Sequence, residues 1–182
     1  RDLKLMSNPA ATHGEEVDLQ RSLDAALNTA GGILRDRARI ERHFEQLPRM
    51  QGDPSQLSLL FARLLLLRAA KLPANRQHVL RVAARSTETE VVVEISDDGP
   101  AYAESDRQAL MGDALFAMRP SLALSACRSV VVAHQGRVRL PADQAVLQVC
   151  FPISQQAISR PRPVAAPRSV RPGRILVVDD DL

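Results

Sequence analysis

The chain has 182 residues, enough for one ordinary domain with its own core plus flanking segments. Apolar residues make up 45% and aromatics 3%, with no Trp, so a globular fold with a core of Leu, Val, Ile and Ala is expected. The net charge of +3 comes from residues 160–174, which hold five arginines, four prolines and no acid; the other 19 basic residues face 21 acidic ones, which argues for a basic linker and against nucleic-acid binding.

Residues 1–16 read as the end of a helix and a polar connector holding Pro9 and Gly14. Asp18 suits an N-cap, and Leu19, Leu23, Ala26 and Leu27 follow at helical spacing. Gly31 and Gly32 are expected to weaken that helix near its middle or end. Residues 38–48 alternate as a strand. Asp53-Pro54 then supplies an N-cap with proline at the first helical position, opening a helix to about Leu72 that Pro73 stops. Residues 78–99 form two alternating runs joined by the polar turn Ser86–Glu90, a hairpin. A short helix is expected around 104–111, and a longer one over 121–136 ended by Gly136. Residues 137–140 and 145–153 close a second hairpin around Pro141-Ala142-Asp143. The order predicts an α+β fold, a two-layer sandwich with a mixed, mainly antiparallel sheet covered on one face by helices.

No apolar run approaches the ~20 residues of a membrane span, and no secretory signal pattern opens the chain. Cys127 and Cys150 match no metal or redox spacing, so a reducing cytoplasm is the simplest expectation. His13 sits in the connector, His43 and His78 fall on strands, and His134 ends a helix in a structural role. No Ser/His/Asp or Cys/His set stands in a supporting motif.

Four segments in this order and spacing, VDLQRSLDAAL (17–27), GDPSQLSLLFARLLLLRAA (52–70), VVVEISDDGPA (91–101) and ACRSVVVAHQGRVRL (126–140), resemble the ATP-binding catalytic domain of sensor histidine kinases. That domain has the Bergerat-type fold of the GHKL ATPases. The resemblance divides the chain into a dimerisation-helix tail and connector (1–16), the ATPase-like domain (17–153), a Pro/Arg-rich linker (154–173) and the first strand of a receiver domain (174–182). It implies a fragment of a hybrid kinase, with partners in the dimerisation domain of the same protein and a response-regulator receiver. It also implies a homodimer in the full-length protein, with no membrane contact by this fragment.

Tested residue by residue, the resemblance implies a degenerate site. The family's Mg²⁺-coordinating Asn falls on Leu67 and its companion Asn on Arg63; no Asn occurs between Asn28 and Asn75. Leucine offers Mg²⁺ no oxygen. The adenine-binding box reads Asp97-Asp98-Gly99-Pro100-Ala101, keeping Asp97 and Gly99 but replacing the second glycine by Ala101; a plain strand-end turn is the rival reading. The phosphate-binding glycine box reads Arg119-Pro120-Ser121-Leu122-Ala123-Leu124, with every glycine gone. Side chains where a left-handed backbone is needed cost ~1–2 kcal/mol each. Arg119 and Ser121 offer a counter-reading as direct phosphate contacts. Asp179 and Asp180 match the receiver's Mg²⁺-binding acidic pair, which works only in a complete receiver. Arg68 lies within the apolar stripe of its helix, so Leu67 and the arginine stem are expected either to fill the nucleotide space or, for Arg68, to run past the sheet edge to solvent.

Three functions follow. The first is a non-catalytic interaction module, a pseudokinase with no cofactor expected. The second is a divergent active kinase using ATP and Mg²⁺. The third is a phosphotransfer scaffold that docks a receiver.

Overall fold

The computed structural model describes residues 15–74, 77–111, 122–141 and 144–153, and every structural statement concerns these. The chain enters through β1 (Glu15–Val17) and turns into α1 (Leu19–Arg35) at Asp18, whose carboxylate accepts the Arg21 N–H at 3.3 Å. The apolar positions Leu19, Leu23, Ala26, Leu27, Ala30 and Leu34 are buried on one face. Gly31 and Gly32, expected to weaken this helix, lie in its last two turns without ending it. Buried Ala30 and Leu34 anchor the turns on either side, and that packing outweighs the ~1 kcal/mol that each glycine costs.

β2 (Ala38–Phe44) leads to β3 (Met50–Gly52), which pairs antiparallel with β1 in a two-stranded ribbon not expected from the sequence. Val17 and Met50 bury its inner side. α2 (Pro54–Lys71) starts at Asp53, which accepts the N–H groups of Ser55 at 2.8 Å and Gln56 at 3.1 Å, with Pro54 at the first turn as expected. β4 (His78–Ser86) and β5 (Glu90–Asp97) form the expected hairpin, its turn closed by the Thr87 N–H on the Glu90 carbonyl at 2.8 Å. α3 (Glu104–Met111), α4 (Leu122–Ala133), β6 (Arg137–Arg139) and β7 (Val146–Pro152) follow.

The main sheet has the order β2-β4-β5-β7-β6, with β2 parallel to β4 and the other neighbours antiparallel. Helices lie on one face, over Leu80, Val82, Val93, Ile95, Val149 and Phe151. Phe61 of α2 meets Phe151 of β7 edge to face, with ring centroids 6.3 Å apart. The predicted α+β sandwich is thus the observed one.

The end of α4 differs in detail from expectation. Gln135, at φ 56°, takes the left-handed position, and Gly136 follows it. The Gln135 N–H bonds the Val132 carbonyl at 2.9 Å and the Gly136 N–H bonds the Val131 carbonyl at 2.8 Å, a Schellman motif. Gly136 is required by contact: a Cβ there would stand 2.8 Å from both the Cys150 carbonyl and the Phe151 ring.

Candidate functional site

The last turn of α2, the end of β5 and the loop into α3 converge on one buried ion pair. α2 carries Arg68 on its apolar face, and the residue is 2% exposed. β5 ends by aiming Asp97 inward, with its side chain fully buried. A long cation inside an apolar layer needs an anion, and Arg68 meets Asp97 in a two-pronged contact. Its Nε donates to Oδ2, and its Nη2 donates to Oδ1 at 2.6 Å and to the Pro100 carbonyl at 2.5 Å. The Gly99 N–H adds a bond to Oδ1 at 2.8 Å. Asp97 therefore spends both oxygens on the protein's own donors.

The guanidinium carbon lies 4.6 Å from the centroid of the Tyr102 ring, a cation–π contact. Burial pulls the Arg68 ionisation downward, but the hydrogen bond and charge of Asp97 outweigh it and leave the group above its usual value. Burial pushes the Tyr102 phenol well above its usual range, against the opposing pull of Arg68. Gly99 is enforced by crowding: a Cβ would meet Leu72 at 2.6 Å and Asp97 Oδ1 at 2.8 Å.

Further contacts pin the surroundings. Lys71 pairs with Asp106 of α3, and Arg107 Nη1 donates to the Leu140 carbonyl at 2.9 Å, so α3 is held from two sides. His78 bridges the Asp98 carboxylate at 2.7 Å and the Pro73 carbonyl at 3.1 Å.

Leu67 is half-buried and lines what remains of the cleft, about 90 Å³ bounded also by Leu64, Arg68, Tyr102, Leu110 and Leu124. Ligand sites in proteins run about 300–1,000 Å³, so this cleft is smaller than a typical ligand site. Arg63 points to solvent, and Ala101 and Ala123 are exposed. Arg119, Ser121, Asp179 and Asp180 lie outside the described residues, as do the segments expected to be a dimerisation-helix tail, a linker and a receiver strand. The structure thus brings Asp97, Gly99 and Leu67 to one place and leaves Arg63, Ala101 and Ala123 at its surface. Among the described residues, no three His, Cys, Asp or Glu side chains are placed to hold a metal. Among the described residues the donors do not fit a magnesium nucleotide: Leu67, where the resemblance puts the metal ligand, is hydrocarbon, and the Asp97 carboxylate is bonded internally.

Of the two expectations for Arg68, the run to solvent is overturned, because its head is as buried as its stem. The pairing of Arg68 with Asp97, the Tyr102 stack and the Lys71–Asp106 tie escaped the sequence. A signal existed: an arginine in an apolar stripe needs a buried anion, and the Asp97-Asp98 pair closing an apolar strand offers one. His134 is structural as expected. It accepts the Asp53 N–H at 3.0 Å on Nε2, so its Nδ1 donates to the Val130 carbonyl at 2.8 Å, joining the end of α4 to the start of α2.

No protein-family description matches the chain, and no curated protein matches it. Solved structures do. A mycobacterial sensor histidine kinase, MprB, aligns with a TM-score of 0.61 at 20% identity over 76% of this chain and 97% of that one. The histidine kinase AdeS of Acinetobacter baumannii aligns with a TM-score of 0.60 at 14% identity over 77% and 67%. The catalytic domain of the histidine kinase ThkA, in a nucleotide-free form, gives 0.64 at 16% identity over 76% and 96%. With the sheet order and the converging α2, β5 and α3, these likenesses establish that the chain has the fold of histidine kinase catalytic domains.

Proposed function

We propose that this domain works without nucleotide, as a pseudokinase module of a two-component signalling protein. It acts through contacts with that protein's dimerisation domain and with a receiver domain. The observation that carries this reading is the Arg68 guanidinium seated on Asp97 and stacked against Tyr102. In a nucleotide-binding member of the fold that carboxylate faces the adenine; here an internal cation takes its place. Adenine binding would have to displace a buried, bidentate charge pair, and breaking such a pair costs ~3–5 kcal/mol. At ~1.4 kcal/mol per tenfold in affinity, that alone removes two to three orders of magnitude. The hydrocarbon of Leu67 at the metal-ligand position adds to the loss.

Thermal unfolding with and without millimolar ATP and Mg²⁺ tests the reading. Ligand at 100 times its dissociation constant adds ~2.7 kcal/mol of stability, a rise of several degrees for a domain of this size. The expected result is no shift. A Mg²⁺-dependent rise in Tm identifies instead a divergent active kinase and overturns the proposal.

A further inference from the structure

β2 ends the main sheet, and its outer edge carries a continuous row of backbone groups with no partner strand among the described residues. The ladder to β4 starts at the Arg37 carbonyl, which accepts the His78 N–H at 3.1 Å, and ends at the Glu45 N–H, which reaches the Ala84 carbonyl at 2.9 Å. Odd-numbered residues therefore face β4, and the N–H and C=O groups of Ala38, Ile40, Arg42 and Phe44 point outward. Sheet edges are ordinarily blunted by proline, a bulge or charged side chains, and here only the charges of Arg39, Glu41 and Arg42 are present. Residues 38–44 contain no proline, glycine or lysine, and the register with β4 runs unbroken over seven pairs.

Beside this edge, between α1 and β2, runs a cleft of about 510 Å³ lined by Leu27, Asn28, Arg35, Arg39, Ile40 and Arg42. Its cations are incompletely neutralised. Arg42 is 3.4 Å from Asp24, and Glu41 is shared between Arg39 and Arg81 at 2.7 Å each. Arg35, Arg39 and Arg42 at the cleft thus face Asp24 and a Glu41 that Arg81, on the open sheet face, also engages. Leu27 and Ile40 supply an apolar floor.

We infer that the β2 edge is a docking site for an extended acidic peptide of a partner protein, added as a sixth strand. Main-chain hydrogen bonds to Ala38, Ile40, Arg42 and Phe44 supply affinity, and side-chain pockets supply selectivity. Apolar side chains of the peptide cover the half-buried Ile40 on the helix face, and its carboxylates meet Arg39 on the other face. This site is separate from the Arg68–Asp97 cluster, so it stands or falls independently of the nucleotide reading.

The test uses the full chain and a fluorescent peptide of alternating Glu and Val, with a Lys/Val peptide and a proline-interrupted Glu/Val peptide as controls. The Glu/Val peptide is expected to bind saturably and to shift the amide resonances of Ala38, Ile40, Arg42 and Phe44. Arg39→Glu with Arg42→Glu is expected to weaken it about tenfold or more. Arg42→Pro, which removes one outward N–H without touching the β4 ladder, is expected to weaken it as well. Failure of the Glu/Val peptide to bind overturns the inference, as does equal binding of the Lys/Val or the proline-interrupted peptide. Resonance shifts confined to Arg81, Arg85 and Arg137 on the open sheet face also overturn it. Because two controls lie in the peptide, the inference remains falsifiable if a variant fails to fold.

Discussion

Arg68 and Asp97 form a pair whose members cannot be removed singly without exposing the other to an apolar surrounding. Arg68→Ala leaves a buried carboxylate with only the Gly99 N–H as a donor from the original contacts. The expected loss is ~3–5 kcal/mol in denaturant unfolding. Arg68→Ala combined with Asp97→Ala is expected to cost less than the sum of the single changes, the double-mutant signature of direct coupling. Simple additivity would show that the two side chains do not act as a unit. Tyr102 reads the same locus optically, because the chain has one tyrosine and no tryptophan. Its folded-state ionisation lies above the ordinary value of 10.0, so the neutral phenol adds stability that is fully present below about pH 10 and is lost as pH rises beyond it. Tyrosinate absorbance is therefore expected to stay absent through pH 10 and to appear together with alkaline unfolding. A half-titration at pH 10 in the folded protein would place the ring in water.

At the scale of elements, the caps were legible and the short strands were not. Asp18 and Asp53-Pro54 announced two helices because a carboxylate before an apolar periodic run has one economical use, bonding the free N–H groups of a first turn. β1 and β3 are three residues each, too short for a period of two to register, and their pairing depends on Val17 and Met50 finding the core. The end of α4 was half legible. Glycine after a helix pointed to the stop, but the left-handed residue is Gln135, while Gly136 admits the backbone and ring of β7. Opposite outcomes follow for the two positions. Gln135→Gly is expected to stabilise by about 1 kcal/mol, since it removes the Cβ penalty at positive φ. Gly136→Ala is expected to destabilise by ~1–3 kcal/mol through overpacking against Cys150 and Phe151. Chemical denaturation of both variants distinguishes this arrangement from one in which Gly136 itself holds the left-handed turn, where the two signs would not separate.

For the whole molecule, what the sequence disclosed follows from how each kind of information is encoded. Segment order and alternation carry the architecture, so the sandwich and its mixed sheet could be read from four short runs. The site is encoded in pairs distant in sequence, and a separation of 29 positions between Arg68 and Asp97 gives no local sign that one closes on the other. That the resemblance puts its metal ligand on Leu67 was visible, whereas the bonding of the Asp97 carboxylate was not. On the proposed reading these are independent barriers, and removing one is expected not to give nucleotide binding. Leu67→Asn returns an oxygen to the helix but leaves Asp97 bound to Arg68, Gly99 crowded and the cleft near 90 Å³. Differential scanning fluorimetry of Leu67→Asn with millimolar ATP and Mg²⁺ is therefore expected to match the nucleotide-free control. Were that single change to confer a Mg²⁺-dependent rise in Tm, the internal ion pair would have to open at little cost. Asp97 would then be a carboxylate waiting for adenine and not one already satisfied by the fold.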